Sequence, residues 1–319
     1  MPSPTDTQAP VPAPVLAPVP VLPLSAASKI ASYAIQPASG ASQLSQRIEL
    51  SQATHRIRLV NAWGSSSSTT LGPGTRVLEL GCGQGTCTQA LAEAVGPGGH
   101  VDAADPAPPD YGRPFTLAQA QAHLSAGPVG GRIAWHRADP VSFLSDTEKT
   151  WDVAVLAHCV WYFRDGGEAE LGRILSALRG RVARVLVAEY ALRATEPAAA
   201  AHVLAALARA TLEAHRGDST ENIQSVVSPA GIKAVAAGAG WTVESESVVV
   251  PDAALSDGFW ETATVTAQDF VDEVEEAVGD ERVKSLLRSA RDATVAAAEA
   301  NGGVKKVRTM DVWVASLTC

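Results

Sequence analysis

A short apolar run that leads into three closely spaced glycines constrains the fold of this chain more than any other feature. Residues 77–85 read Val-Leu-Glu-Leu-Gly-Cys-Gly-Gln-Gly, and a stretch with helical character follows at residues 86–95. A strand, a glycine-rich turn and a helix in this order are typical of a nucleotide-binding βαβ unit. Glycine lets the backbone turn sharply and approach a ligand closely. We therefore expect a parallel α/β sheet with a binding loop after its first strand.

The spacing within the turn points away from a dinucleotide. In the G-x-G-x-x-G pattern the third glycine would fall at position 86, which is Thr86, and Gly85 comes one residue early. Glu79 also precedes the turn closely, and its carboxylate would repel a pyrophosphate. A sulfonium and an ammonium group, as in S-adenosylmethionine, would be attracted instead.

Further apolar segments alternate with helical ones after this turn. Strands are predicted at residues 100–104, 132–137, 151–157 and 183–188, and a helix is predicted at residues 168–178. Residues 241–250 and 306–317 are predicted as two closing strands. Alternating strands and helices indicate a parallel, doubly wound sheet. The predicted fold is therefore α/β, with a doubly wound, mostly parallel sheet of seven strands.

The segment Glu79-x-Gly81-x-Gly83-x-Gly85 resembles motif I of the class I S-adenosylmethionine-dependent methyltransferases. The likeness extends over about residues 47–317 and is strongest at residues 72–189. Residues 101–112 resemble a segment of many fungal small-molecule methyltransferases. The resemblance implies a Rossmann-like fold with an antiparallel strand at the sheet edge, and S-adenosyl-L-methionine as the cofactor.

The same resemblance implies a set of cofactor-binding residues. The methionine part would be held by Glu79, Gly81, Gly83 and Gly85, and Cys82 would also bind the cofactor. Asp105 would bind the ribose, since it lies about 20 residues after the glycine turn, where such folds place a carboxylate. Asp139 would bind the adenine amino group. Two alternatives stay open: Asp105 as a turn residue before Pro106, and Asp139 as the cap of a helix that begins near residue 141.

The predicted acceptor site follows the fourth strand, at His158 to Phe163. Three consecutive aromatic residues occur here, although aromatic residues make up only 5% of the chain. His158 is the candidate general base, because an imidazole can take up a proton near neutral pH; its alternative role is a hydrogen bond to a neighbouring loop. Tyr162 is predicted to orient a substrate oxygen. Trp161 and Phe163 either contact ligands or close the top of the sheet.

Helical segments outside the predicted core are expected to form a lid. Residues 42–63 have one apolar stripe, made of Leu50, Ala53, Ile57 and Val60. His55 and Arg56 fall on other faces, where they either close over the cofactor carboxylate or substrate or, as we favour, lie in solvent. Residues 196–239 and about 270–300 are also predicted as helical insertions. Asn222, Trp260 and Glu261 lie within or between these insertions and could line a pocket.

The chain is predicted to contain one domain. Residues 1–28, rich in proline and alanine, are predicted to be a disordered tail, without the features of a secretory or mitochondrial signal. The methyltransferase domain would cover residues 29–319, with an N-terminal helical cap at 29–71, a cofactor-binding core at 72–192, and helical insertions with closing strands at 193–319.

Composition excludes several classes of partner. The net charge of −9 without a basic cluster argues against nucleic acid, and apolar runs are too short for a membrane span. The four cysteines have no disulfide or metal spacing, which favours a reducing, cytoplasmic location. The acidic metal triad of catechol-type methyltransferases is not evident, so no metal is expected. The sequence gives no indication of oligomeric state.

Together these observations predict methylation of a small molecule, at oxygen or nitrogen, with secondary metabolism as the expected setting. The Asn/Asp-Pro-Pro-Tyr/Phe motif of enzymes that methylate adenine or glutamine does not follow the fourth strand. Two alternatives stay open: a protein methyltransferase or regulator of secondary metabolism, and a non-methylating protein that binds S-adenosylmethionine. A nicotinamide oxidoreductase is the weakest alternative.

Overall fold

A mixed sheet of seven strands lies at the centre of the described part of the molecule. The computed structural model describes residues 21–36, 40, 42–64, 71–164, 166–217, 219 and 221–319. The strands are β1 (Arg76–Leu80), β2 (His100–Ala104), β3 (Ile133–His136), β4 (Trp151–Ala157), β5 (Val182–Tyr190), β6 (Thr242–Val249) and β7 (Val312–Thr318).

The strand order is β3-β2-β1-β4-β5-β7-β6. Strands β1 to β5 pair in parallel, whereas β7 pairs antiparallel with both β5 and β6. The predicted doubly wound, mostly parallel seven-stranded sheet is thus confirmed. The strand that runs against the others, β7, lies one position inside the edge strand β6.

Helices cover both faces of the sheet and its carboxyl end. They are α1 (Ala27–Ala31), α2 (Gln43–Gly64), α3 (Thr86–Val95), α4 (Leu117–Ala126), α5 (Pro140–Ser145), α6 (Glu168–Leu178), α7 (Ala200–Glu213), α8 (Pro229–Gly238), α9 (Asp257–Thr266), α10 (Gln268–Ala277) and α11 (Glu281–Glu299). Side-chain caps start several of them, such as Ser228 at α8 and Asp280 at α11. None of the helices in the described ranges is long and apolar enough to cross a membrane.

Successive side chains of each strand point to opposite faces of the sheet and therefore belong to two hydrophobic cores, one on each face. In β1, Val77 packs into the core beneath α2 and α3, whereas Leu78 packs into the core beneath α5, α6 and α8. Both residues are fully buried. A parallel sheet covered on two faces requires such continuous apolar strands, which explains why β1, β4 and β5 are visible in the sequence.

Part of the N-terminal segment that was predicted to be a disordered tail is folded. Residues 1–20 of the predicted tail lie outside the described residues, but residues 21–28 belong to the folded domain. Leu22 is buried, and its backbone N–H and C=O both bond to the side chain of Asn61 in α2, at 2.9 and 2.8 Å. The predicted tail of residues 1–28 is therefore too long, because its last apolar residues have a surface to pack on.

The predicted insertions form a helical layer with its own small core. Apolar residues of α7 pack against Val265, Phe270, Val274, Val278 and Leu287 of the segments that include α9, α10 and α11. Arg209 of α7 reinforces this layer through ion pairs with Glu213 and Glu273. The predicted stripe of Phe270, Val274 and Val278 is thus buried, as its helical spacing indicated.

Candidate active site

The candidate site lies at the carboxyl ends of β1 and β4, where the direction of strand succession reverses. Ligands of open α/β sheets bind in the crevice at this point. The glycine turn after β1, the loops after β2 and β4, and the end of β5 surround the crevice. Helix α2 and the helical layer that includes α7 and α9 contribute side chains from above.

The three glycines of the turn have different physical roles. Gly81, Gly83 and Gly85 all have positive φ, at 73°, 53° and 90°. A Cβ at Gly81 would lie 2.5 Å from Cβ of Cys159, and one at Gly85 would lie 2.6 Å from Cδ1 of Leu124. At Gly83 a Cβ would have no neighbour within 4 Å. Packing therefore requires glycine at positions 81 and 85, whereas Gly83 borders open space that a ligand can enter.

Asp105 ties the end of β2 to the glycine turn. Its Oδ2 accepts the N–H of Gly83 at 2.7 Å, and its Oδ1 accepts the N–H of Ala107 at 2.9 Å. Each carboxylate oxygen can accept a further hydrogen bond, so ribose hydroxyls can still bind there. Its predicted place beside the turn is therefore compatible with both roles that the sequence left open.

Asp139 caps helix α5. Its Oδ1 accepts the N–H of Ser142 at 2.9 Å, and Pro140 occupies the first helical position. The capping alternative is thus confirmed. Contact with adenine through the other oxygen of Asp139 stays a prediction.

Glu79 and Arg56 are two ionisable residues whose polar groups are buried at the glycine turn. Glu79 is 2% exposed, and Oγ1 of Thr88 donates to its Oε2 at 2.5 Å. Burial raises the pKa of Glu79 to about 7, although Thr88 and the positive charge of Arg56 act in the opposite direction. The Nε and Nη1 atoms of Arg56 are buried without a hydrogen-bond partner in the described structure. The expectation that Arg56 lies on a solvated face is therefore wrong.

An imidazole pair lies between α2 and the end of β4. Nε2 of His55 is 3.0 Å from Nε2 of His158, and Nδ1 of His158 is 3.7 Å from Oε1 of Glu189. His55 is 2% exposed, so its expected solvated position is wrong, and burial lowers its pKa well below the usual value. The side chain of His158 therefore bonds to helix α2 and not, as the alternative expected, to a neighbouring loop. The general-base role of His158 stays a prediction.

The three consecutive aromatics separate into two groups. Trp161 and Phe163 are buried, and Nε1 of Trp161 donates to the carbonyl of Val227 at 3.0 Å. They close the top of the sheet, which was the second of the two roles predicted for them. Tyr162 is 46% exposed. Its hydroxyl end is desolvated, and together with the nearby charge of Glu261 this raises the pKa of Tyr162.

Residues of the helical layer complete the crevice, and sequence reasoning missed most of them. Asp257 of α9 accepts hydrogen bonds from Nε2 of Gln52 at 2.7 Å and from the hydroxyl of Tyr190 at 3.0 Å. Nε2 of His202 bonds to Oε2 of Glu261 at 2.6 Å. The four-residue spacing of Asp257 and Glu261 indicated one helix face. The sequence carried no signal for the partners of this face.

Two further observations bear on predicted residues. The hydroxyl of Tyr111 donates to Oδ1 of Asn222 at 2.9 Å, which places Asn222 across from the loop after β2.

Cys82, Cys87 and Cys159 are buried free thiols near the glycine turn. Within the described ranges, no group of three or more His, Cys, Asp or Glu side chains is arranged to hold a metal ion.

The sheet order and the glycine turn define a Rossmann-like, class I S-adenosylmethionine-dependent methyltransferase. Comparison with known proteins agrees. Residues 50–246 match the family model described as a methyltransferase domain, and the chain belongs to this family.

Two fungal methyltransferases are similar to this chain over most of its length. Methyltransferase phomM′ of Diaporthe leptostromiformis is 31% identical, and methyltransferase phomM of the same fungus is 30% identical, with 86% of each chain covered. Among solved structures, a cyclopropane-fatty-acyl-phospholipid synthase-like protein from Lactobacillus casei superposes with a TM-score of 0.78 at 27% identity. That superposition covers 92% of this chain and 99% of the other.

S-adenosyl-L-methionine is accordingly the cofactor, and the residues present suit it. The open space at Gly83 can admit a ligand, and the buried carboxylate of Glu79 can stabilise an ammonium group. The guanidinium atoms Nε and Nη1 of Arg56 have no partner in the described structure, and a carboxylate would satisfy them. A zwitterionic amino acid end, as in methionine, supplies both charges.

Proposed function

We propose that this methyltransferase transfers the methyl group to oxygen or nitrogen of a small molecule. The observation that carries the proposal is the bridge made by Asp257, which bonds to Gln52 of α2 and to Tyr190 of β5 above the crevice. A bridge between three elements encloses the acceptor space. A protein substrate would need an open groove there, so the enclosure favours a small acceptor.

In this proposal the chain binds the cofactor along the glycine turn. Glu79 faces its ammonium group and Arg56 its carboxylate, while Asp105 accepts the ribose hydroxyls and Asp139 the adenine amino group. Gly81, Cys82, Gly83 and Gly85 supply the backbone that follows the ligand. When bound, the cofactor supplies a methyl group activated by the neighbouring sulfonium.

His158 and Tyr162 are proposed to line the acceptor end. Tyr162 offers an exposed ring face and a hydroxyl, and aromatic faces attract cations such as a sulfonium. His158 packs 4.6 Å from the ring of Tyr190, centroid to centroid. Alignment of acceptor and methyl group supplies much of the rate enhancement in such a site, so a strong base is not essential.

The experiment that tests this proposal measures binding and product formation separately. Calorimetry with S-adenosylhomocysteine should show binding to the wild type, none to Gly83→Arg, and a change within about threefold in His158→Ala. Equal loss in both variants would contradict the assigned roles. Circular dichroism of each variant controls for folding.

The biological setting is proposed from the likeness to fungal methyltransferases and from the free cysteines. We place the enzyme in secondary metabolism and in a reducing, cytoplasmic compartment. Comparative metabolite profiles with and without the gene should differ by a compound one methylene heavier. An unchanged profile would contradict the proposed setting.

A further inference from the structure

We propose that Glu261 is the acceptor-binding carboxylate of this enzyme, that His202 positions it, and that the group it binds is an amino group. This inference rests on the proposed small-molecule function and narrows it to a nitrogen acceptor. Glu261 lies on α9 and His202 on α7, so the site belongs to the helical layer above the crevice.

The first step is the fixed orientation of His202. This residue is fully buried, and its Nδ1 accepts the backbone N–H of Met310 at 3.0 Å. A nitrogen that accepts cannot carry the proton, so the hydrogen of the neutral ring is on Nε2. Nε2 therefore donates to Oε2 of Glu261, at 2.6 Å. This bond fixes the carboxylate with one oxygen used and the other available.

The second step is the direction that the carboxylate faces. Glu261 has a side-chain exposure of 24%, so solvent or a ligand can reach it. The ring of Tyr190 packs 5.2 Å from the ring of His202, the partner of Glu261, centroid to centroid, and the charge of Glu261 contributes to the raised pKa values of Tyr162 and Tyr190. The hydrogen bond from His202 uses Oε2 of Glu261, and none of the described residues donates to Oε1. Oε1 can therefore accept a hydrogen bond from a ligand.

The third step is that the other polar groups nearby are already engaged. Both oxygens of Asp257 accept hydrogen bonds from the protein. Nε2 of His158 is paired with His55, and both carboxylate oxygens of Glu189 accept backbone N–H groups. Of these three carboxylates, Glu261 is thus the one whose second oxygen accepts no hydrogen bond from the described residues.

The surroundings favour a nitrogen group over a hydroxyl. The carboxylates of Glu261, Asp257 and Glu189 create a negative potential, and the ring of Tyr162 adds an aromatic face. A cation is attracted both by carboxylates and by aromatic faces. An amine can also donate an N–H to Oε1 in either its neutral or its protonated form.

The test uses two cofactor analogues and needs no knowledge of the acceptor. S-adenosylhomocysteine lacks the transferable methyl group, and sinefungin carries an amino group in its place. By calorimetry the wild type should prefer sinefungin. In Glu261→Gln this preference should fall by about tenfold, because a charge-assisted hydrogen bond is lost. The affinity for S-adenosylhomocysteine should stay within about twofold.

A matched control and a second pair of variants make the outcome decisive. Glu276→Gln removes the same charge from an exposed position of α10 and should leave the ratio of the two affinities unchanged. His202→Gln, which keeps an N–H donor, should preserve more of the sinefungin preference than His202→Leu.

Two failures are distinguishable in this design. If Glu261→Gln binds both analogues with the wild-type ratio, the Glu261 assignment is wrong and the proposed function stands. If the wild type binds neither analogue, the proposed function itself fails. A sinefungin preference that is equal in His202→Gln and His202→Leu would remove the positioning role of His202.

Discussion

The Nε2 atoms of His55 and His158 lie 3.0 Å apart and join helix α2 to the end of strand β4. One ring must donate and the other must accept, so two neutral imidazoles share a single hydrogen at this contact. Nδ1 of His158 faces Oε1 of Glu189 at 3.7 Å, which favours a hydrogen on that nitrogen. We infer that His55 donates and His158 accepts. The lone pair of His158 that a general base would use is therefore engaged by His55.

This pair predicts a specific dependence of stability on pH. Burial lowers the pKa of His55 well below its usual value, so the unfolded chain takes up a proton at a higher pH than the folded chain does. The contribution of His55 to stability is complete above about pH 6.5 and is lost as the pH falls below that value, by up to about 1.4 kcal/mol per pH unit. Denaturant unfolding between pH 7.5 and 5 should show a shallower decline for His55→Asn than for the wild type.

A control histidine separates this effect from general acid destabilisation. His123 is exposed on α4, so His123→Asn should follow the wild-type pH profile. If His55→Asn and His123→Asn decline with the same slope, the buried imidazole pair does not contribute to the pH dependence.

Arg56 predicts a selective loss of affinity for the carboxylate of the cofactor. Its Nε and Nη1 atoms are buried without a partner in the described structure, and a charge-assisted bond to a carboxylate would satisfy them. Arg56→Met should weaken binding of S-adenosylmethionine by about 100-fold, or about 2.7 kcal/mol, since removal of one partner of a buried charge pair costs about 2–5 kcal/mol. Decarboxylated S-adenosylmethionine should bind wild type and variant with similar affinity.

The neighbouring Arg58 provides the matched control. It lies on the same helix but pairs with Asp252 at 2.8 Å, so Arg58→Met should leave cofactor affinity unchanged. Equal losses for the carboxylated and decarboxylated ligands in Arg56→Met would show that Arg56 acts on the fold and not on the carboxylate.

The sequence predicted those helices and strands that are determined by the pattern of residues within one segment. The bounds of α3, β2, β4 and α6 coincide with the prediction, because each is a periodic segment bounded by turn residues. Helix α2 shows the limit of this reasoning. Leu50, which was assigned to its buried stripe, is 40% exposed, whereas His55 is 2% exposed. Hydrophobicity alone could not show that the β4 end supplies a polar partner for this helix.

The acceptor end could not be assembled from the sequence for a related reason. His202 meets Glu261, and Tyr190 meets Asp257, across 59 and 67 residues of chain. Such pairs depend on how the helical layer packs on the sheet, and no spacing within one segment encodes it. The glycine turn was predictable because its three glycines and the strand and helix beside them lie in one short segment.

Glu79 predicts that cofactor affinity rises with pH. Burial raises its pKa to about 7, so part of the cofactor-free protein carries a neutral Glu79 at neutral pH. An ammonium group beside it favours the ionised form, so binding releases a proton and strengthens as the pH rises from 6 to 8. Calorimetry in two buffers of different ionisation enthalpy measures that proton. In Glu79→Gln the proton release should vanish and the affinity should become nearly independent of pH; a variant that keeps the wild-type pH profile would contradict this assignment.

Substitution by alanine should have different main effects at Gly83 and Gly85: on cofactor affinity at Gly83 and on stability at Gly85. A Cβ at Gly85 would lie 2.6 Å from Leu124 and 2.8 Å from Trp135, so Gly85→Ala adds a clash to the cost of a positive φ. It should destabilise the protein by about 2–4 kcal/mol, from about 1–2 kcal/mol of backbone strain and a similar overpacking penalty. Gly83→Ala meets open space and should cost only the strain, but it should reduce cofactor affinity because its methyl group enters the ligand space. Chemical denaturation and calorimetry on both variants check the pair. If Gly83→Ala bound the cofactor like the wild type, the cofactor would not follow the backbone at Gly83.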